Sequence, residues 1–180
     1  MPTVNQKNQL AADLHWLAFL LTERRELSLD LAVEAIADED VASPYFSTWM
    51  QAWSRRVVIA KALTAIRDEL ADSARRTKAR RPNRPALPHR DWTLDRDTSK
   101  VELERALLAI DVFPRAALLL SVFEGVSIED AAVLLDSQPA LVRKARSEAL
   151  QELTSNLART QGWASSPVKV RMVAPETQYA

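Results

Sequence analysis

GVSIEDAAVLLDSQPALVRKARSEAL, residues 125–150, decides the reading of this chain. Gly125 stands where a helix has just ended and φ must be positive. Ser127 with Glu129 and Asp130 resembles a capping box, with Asp in place of the usual Glu or Gln. A short helix is expected to end near Leu135. Asp136-Ser137-Gln138 then forms a turn, and Pro139 opens a second helix reaching about Arg159. A short capped helix, a tight turn and a longer helix make a helix-turn-helix. The second helix is expected to bury Leu141-Val142, Ala145, Ala149, Leu150 and Leu153. Arg143, Lys144, Arg146 and Ser147 lie near its exposed N-terminal side. DNA readers present such residues to the major groove. The same charges also suit the solvated surface of an ordinary bundle, and residue types alone leave both readings open.

Upstream of this unit the pattern stays helical. Val101, Leu103, Leu107-Leu108 and Ile110 predict one helix beginning near Ser99. Pro114 suits the first turn of the next, which carries Ala117, Leu118, Leu120 and Phe123. In the first half, Leu10, Leu14, Leu17 and Leu21 recur at helical spacing within about Asn8–Arg25. Ser28 is expected to cap a second helix carrying Leu31, Ala35 and Ile36. A long third helix is expected from about Tyr45 to Ala74, its apolar line running Trp49, Ala52/Trp53, Val57, Ala60, Leu63, Ile66 and Leu70. Trp49 and Trp53 at i, i+4 are expected to fill the core, and stacking of Tyr45, Phe46 or Trp49 on an unpaired base is the alternative. Arg55, Arg56 and Lys61 form a modest basic face.

Between the halves, Arg76–Thr98 breaks the helical pattern. Pro82, Pro85 and Pro88 interleave with Arg80, Arg81 and Arg84, which predicts an extended linker. Charge follows the same division. The 180 residues carry 24 Lys/Arg and 24 Asp/Glu. Residues 1–75 are net −3, 76–98 net +4 and 99–160 net −2. The basic strip is either a phosphate-gripping element or a spacer. The expected organisation is a helical domain over 1–75, a basic linker over 76–98, a helix-turn-helix domain over 99–160 and an irregular tail over 161–180. The expected class is all-α.

Composition removes other classes. The chain has no Cys and two Gly, which excludes disulfide scaffolds, thiolate metal sites and glycine-rich phosphate loops. His15 and His89 stand apart in no ligand motif, and no nucleophile elbow appears. No enzyme, cofactor or metal is expected. Apolar stretches fall short of the roughly 18 residues of a membrane span, and Leu14–Leu21 lacks the flanks of a signal peptide. The expected location is the cytoplasm, with no membrane partner.

Leu103–Leu153 resembles the promoter −35-binding region four of sigma-70-type RNA polymerase sigma factors, in the short form of the extracytoplasmic-function group. The positions that carry the resemblance are Ile110, Arg115, Leu118-Leu119-Leu120, Gly125, Ser127, Glu129-Asp130, Ala132, Leu135, Val142, Arg143, Ala149 and Leu153. The chain departs from that pattern at Asp136, where the family usually has Gly, and at Gln138, where it has Ser. Ala145 and Glu148 replace frequent basic residues. The first half resembles region two in architecture only: Asp30-Leu31 and Glu34 stand in the place of the acidic polymerase-binding helix, Val33 replaces its usual Gln, and Arg55 survives from the long helix. The resemblance implies a transcription initiation regulator that binds RNA polymerase core through Asp30, Leu31 and Glu34. It implies promoter DNA as the ligand of Arg143, Lys144, Arg146 and Ser147, to which the basic strip adds Arg80, Arg81 and Arg84. The alternative is a sigma-like decoy that has lost DNA binding and occupies an anti-sigma protein.

Overall fold

Local signals start and stop several helices where the residue types place them. The computed structural model describes residues 4–37, 47–80 and 98–160, and among them all regular structure is helical. The elements are α1 (Val4–Thr22), α2 (Arg25–Ala37), α3 (Ser47–Ala65), α4 (Arg67–Ala79), α5 (Lys100–Leu108), α6 (Val112–Leu118), α7 (Ile128–Leu134) and α8 (Pro139–Thr160). A π-helical turn, Leu119–Phe123, continues α6. The all-α expectation is met. Tyr45, Phe46, Arg81, Arg84, His89, the linker prolines and Gly162 lie outside the described residues.

Ser99 caps α5 through a reciprocal box with Glu102: the Ser99 hydroxyl accepts from the Glu102 amide, and the Glu102 carboxylate accepts from the Ser99 amide. Those bonds hold the Glu102 carboxyl below its usual value. Gly125 has φ 66, and a Cβ there would meet nothing within 4 Å. Its requirement is therefore the backbone angle and not space.

Four expectations are corrected. Ser28 does not cap α2. It lies buried inside the first turn, and its hydroxyl donates to the carbonyls of Arg24 and Arg25. The long third helix is interrupted at Ile66, and α4 turns away to pack on α6 and α8. Arg76–Ala79, expected in the linker, are the last residues of α4. Trp49 and Trp53 are not core. They are 59% and 47% exposed and stack on each other, ring centroids 5.7 Å apart. The buried face of α3 is instead Ser54, Val58, Ile59, Ala62 and Leu63. Small Ser54 lets α2 approach closely enough for its hydroxyl to reach the Ala35 carbonyl, 3.3 Å away. With this face packed on α1 and α2, the large rings are left outward.

The halves share one continuous apolar core, from Leu14 and Leu21 of α1 through Leu70 of α4 to Phe113, Leu118, Val142 and Leu157. Polar ties cross the same seam. The Trp16 indole donates to Glu104 at 3.0 Å, and Lys100 lies 4.7 Å over the same ring. Arg55 forks onto Glu124, which raises the Arg55 pKa, the hydrogen bond being the largest cause. Asp111 begins α6 and accepts two bonds from Arg76, at 3.0 and 2.8 Å. Burial pushes the Asp111 carboxyl up, but bonds from Arg76, Ser73 and the Val112 amide outweigh it and leave the carboxyl below its usual value. Its contribution to stability is therefore present above the ordinary carboxylate pKa and lost as pH falls through the lowered one. Asp111→Ala is expected to cost about 1–3 kcal/mol in denaturant unfolding near pH 7. The gap between variant and parent should close in acid, and a gap independent of pH would contradict the assignment.

Candidate nucleic-acid interface

The unit of α7, a turn and α8 is assembled from local bonds. The Ser127 hydroxyl accepts from the Asp130 amide at 3.0 Å and lies 2.7 Å from the Asp130 carboxylate. Glu129 and Asp130 sit in the first turn of α7, where the helix dipole favours negative charge. The end of α7 is a Schellman arrangement. The Ser137 amide donates to the Ala132 carbonyl at 2.9 Å, and the Asp136 amide to Val133 at 3.2 Å. Asp136 occupies the left-handed position, φ 47. This gives a physical reason for a Gly preference at that place. Asp is among the few other residue types that enter this region with modest strain. Gln138 supplies the carbonyl that starts α8, and Pro139 is its first residue.

Helix α8 divides its side chains three ways. Val142, Ala145, Ala149, Leu153 and Leu157 are buried. Ala140, Arg143, Ser147 and Leu150 share the exposed face, so Leu150, expected inside, is outside. Lys144 and Glu148, one residue further round, turn toward α4. The Lys144 ammonium donates to the carbonyls of Thr77 and Arg80, each at 2.6 Å, and lies 3.8 Å from Glu148. Burial pushes the Glu148 carboxyl up, and its Oε2 has no partner. Arg146 is half-buried. Arg143 is exposed and donates to Glu129 of α7 at 3.1 Å. Arg80, the residue that closes α4, pairs with Glu152 of α8 at 3.2 Å. The structure therefore brings Lys144 and Arg80 together at the end of α4 and leaves Arg143 and Ser147 on the open face. Arg81 and Arg84 fall outside the described residues.

On α2, Asp30 and Glu34 are exposed, and Glu34 pairs with Lys61 of α3. Leu31 is 7% exposed and belongs to the core, which corrects its expected role in a surface contact. It follows the inward period that also buries Ala32 and Ala35. Leu29, which sequence reasoning passed over, and Val33, noted there only as a departure from the family's Gln, take its place on the surface. Leu29 and Val33 are exposed beside Asp30 and Glu34, giving an apolar face rimmed with carboxylates. A second apolar surface is a groove of about 1090 Å³ between α3 and α7, lined by Trp53, Val57, Phe123, Val126, Val133 and Leu134. Exposed patches of this kind are unusual on a chain with no partner.

Arg115 is the other residue whose role the sequence reading missed. Only 1% exposed, it donates to the carbonyls of Leu108 and Ile110 at 3.3 and 2.8 Å and pairs with Glu23 at the α1–α2 corner. Burial lowers its pKa, and Glu23 opposes that shift. Glu23 holds φ 58, a strained angle for Glu that persists only when its surroundings demand it. The signal was an arginine inside the unbroken apolar run Phe113–Leu120, where a charge must be partnered. Among the described residues no helix is long and apolar enough to cross a membrane, and no cluster of side chains is arranged to hold a metal ion.

No family model matches the chain, and no curated protein matches it. Among solved structures it is similar to the sigma factor RpoE of Bartonella quintana, determined in complex with the anti-sigma factor NepR. The two are 18% identical, the match covers 85% of this chain and 94% of that one, and the TM-score is 0.47.

Proposed function

We propose that the chain is a sigma-factor-like regulator of transcription initiation, working in the cytoplasm, that binds duplex DNA through α7–α8 and RNA polymerase core through the acidic face of α2. The observation that carries this reading is the α8 geometry. A capped helix-turn-helix buries Val142 and Ala145 and leaves Arg143 and Ser147 exposed near the helix N-terminus. Arg and Lys in that position meet guanine edges and phosphates in the major groove. Arg80, Arg81 and Arg84 add sequence-independent phosphate contacts. On α2, Asp30 and Glu34, with Leu29 and Val33 beside them, are the groups offered to the polymerase.

Selection from a pool of random duplexes, followed by fluorescence anisotropy on the selected sequence, tests the DNA half. Arg143→Ala is expected to weaken binding by about 1–3 kcal/mol and relax sequence preference. Binding unchanged in that variant would remove Arg143 from the interface. Co-purification tests the other half: polymerase subunits should accompany the parent chain and be lost from Asp30→Lys/Glu34→Lys.

A second reading is favoured by the ion pairs. Arg143, Lys144 and Arg80 each have an internal acidic partner or carbonyl. A chain in which these three charges already have partners suits a decoy that occupies an anti-sigma protein, and the groove between α3 and α7 offers apolar surface for it. Failure to bind any duplex, with capture of an anti-sigma protein, would select this account.

A further inference from the structure

Large apolar side chains that stay exposed gather at one place. Trp53 of α3, Phe123 of the π-helical turn, and Val133 and Leu134 of α7 line the groove between α3 and α7, and Trp49 stacks on Trp53 beside it. Val133 is 80% exposed. Apolar residues scattered singly over a surface are ordinary, but a contiguous patch marks a surface that another molecule covers. The groove also has a charge polarity. Its α3 bank carries exposed Arg56, and its α7 bank carries exposed Asp130. A hollow of about 350 Å³ continues it alongside α4 and repeats the polarity, with exposed Arg67 on the α4 side and exposed Asp136 at the end of α7. Arg55 and Glu124, which also line the groove, already pair with each other.

An unrelated occupant must match both signs at once. A second copy of this chain matches them by symmetry. When the two-fold axis of a pair runs along the groove, the basic bank of each copy meets the acidic bank of the other, and every contact occurs twice. We propose that this face is a homodimer interface, in which Val133 and Leu134 are covered by the other copy and Arg56 of each copy pairs with Asp130 of the other. Neither Arg143 nor Ser147 lines the groove, so the pair leaves both of those residues open. The inference stands apart from the DNA-binding reading, and neither depends on the other.

Analytical ultracentrifugation of the full chain tests it. A monomer–dimer equilibrium is expected, and a chain that stays monomeric up to about 1 mM overturns the proposal and leaves the groove to another protein. Val133→Glu alters a side chain that the single copy leaves in solvent. Circular dichroism should therefore be unchanged, while the dimer dissociation constant rises at least about hundredfold. A dimer as tight in that variant as in the parent places the interface elsewhere and overturns the proposal. The charges give a second arm. Arg56→Glu and Asp130→Arg each set like charges against each other twice across the interface, and each should weaken association at least about tenfold. An equimolar mixture of the two variants should recover the parent affinity, because in the mixed pair every one of these contacts again joins opposite charges. Damage to the fold of either variant is not repaired by mixing. A mixture as weak as the separate variants overturns the pairing and the two-fold arrangement that requires it.

Discussion

Arg115→Ala is expected to destabilise the chain by about 3–5 kcal/mol. Among the described residues Arg115 is the largest fully buried side chain, and two backbone carbonyls and Glu23 depend on it. Truncation leaves the Leu108 and Ile110 carbonyls without these donors and opens a cavity between α6 and the α1–α2 corner. It also relieves the desolvation of a buried guanidinium, whose Nε has no partner. The lost bonds and the cavity outweigh that relief, because removing one partner of a buried polar set strands the others. Arg115→Met separates the contributions. It fills most of the volume and leaves only the polar loss, about 1–3 kcal/mol. Denaturant unfolding followed by circular dichroism measures both. The Ala variant should also melt on the order of 10 °C lower. A Met variant as unstable as the Ala variant would assign the whole effect to the hydrogen bonds. An Ala variant as stable as the parent would show that Arg115 is a cost the fold carries for some other purpose.

Replacing Arg80, Arg81 and Arg84 together with Gln should weaken DNA binding to every sequence alike. Each phosphate neutralised on duplex DNA contributes about −0.9 to the slope of log K against log salt, so three lost contacts flatten it by about 2.7. Between 50 and 200 mM salt the parent should then lose roughly fortyfold more affinity than the variant. Arg80 is paired with Glu152. If it keeps that partner on DNA, the slope changes by about 1.8 and not 2.7. Anisotropy titrations at four salt concentrations read the difference directly. Unchanged affinity and slope would make the basic strip a spacer and leave α8 as the whole interface.

Helix termini in the second half were legible in the chain because caps are local. Ser127 with Asp130, Gly125 and Pro139 each act within a few residues of themselves, so residue type and spacing were sufficient. The unusual angle at Asp136 is local too, and marks the turn between α7 and α8. The first half was harder to read. Its helices are apolar on more than one side, and periodicity alone did not say which side faces in. The line through Trp49 and Trp53 and the line through Ser54, Val58 and Ala62 are both helical, and only packing against α1 and α2 chose the second. Leu31 sank into the core by the same kind of choice.

What the chain determined by itself was helical class and helix termini in the second half, those of α7 and α8 included. Tertiary structure decided how the halves meet and which partner each charge finds. Lys144, Arg143 and Arg146 are equivalent as residue types. They part because a helix turns about 100° per residue. That rotation sends Arg143 to solvent and Lys144 to the carbonyls of α4, a partner more than sixty residues away in the chain. No spacing rule reaches that far, since the partner is a helix end whose position depends on the break at Ile66. Arg115 teaches the same point from the inside. Its place in an apolar run announced that it must be partnered, but only folding brought Glu23 to it.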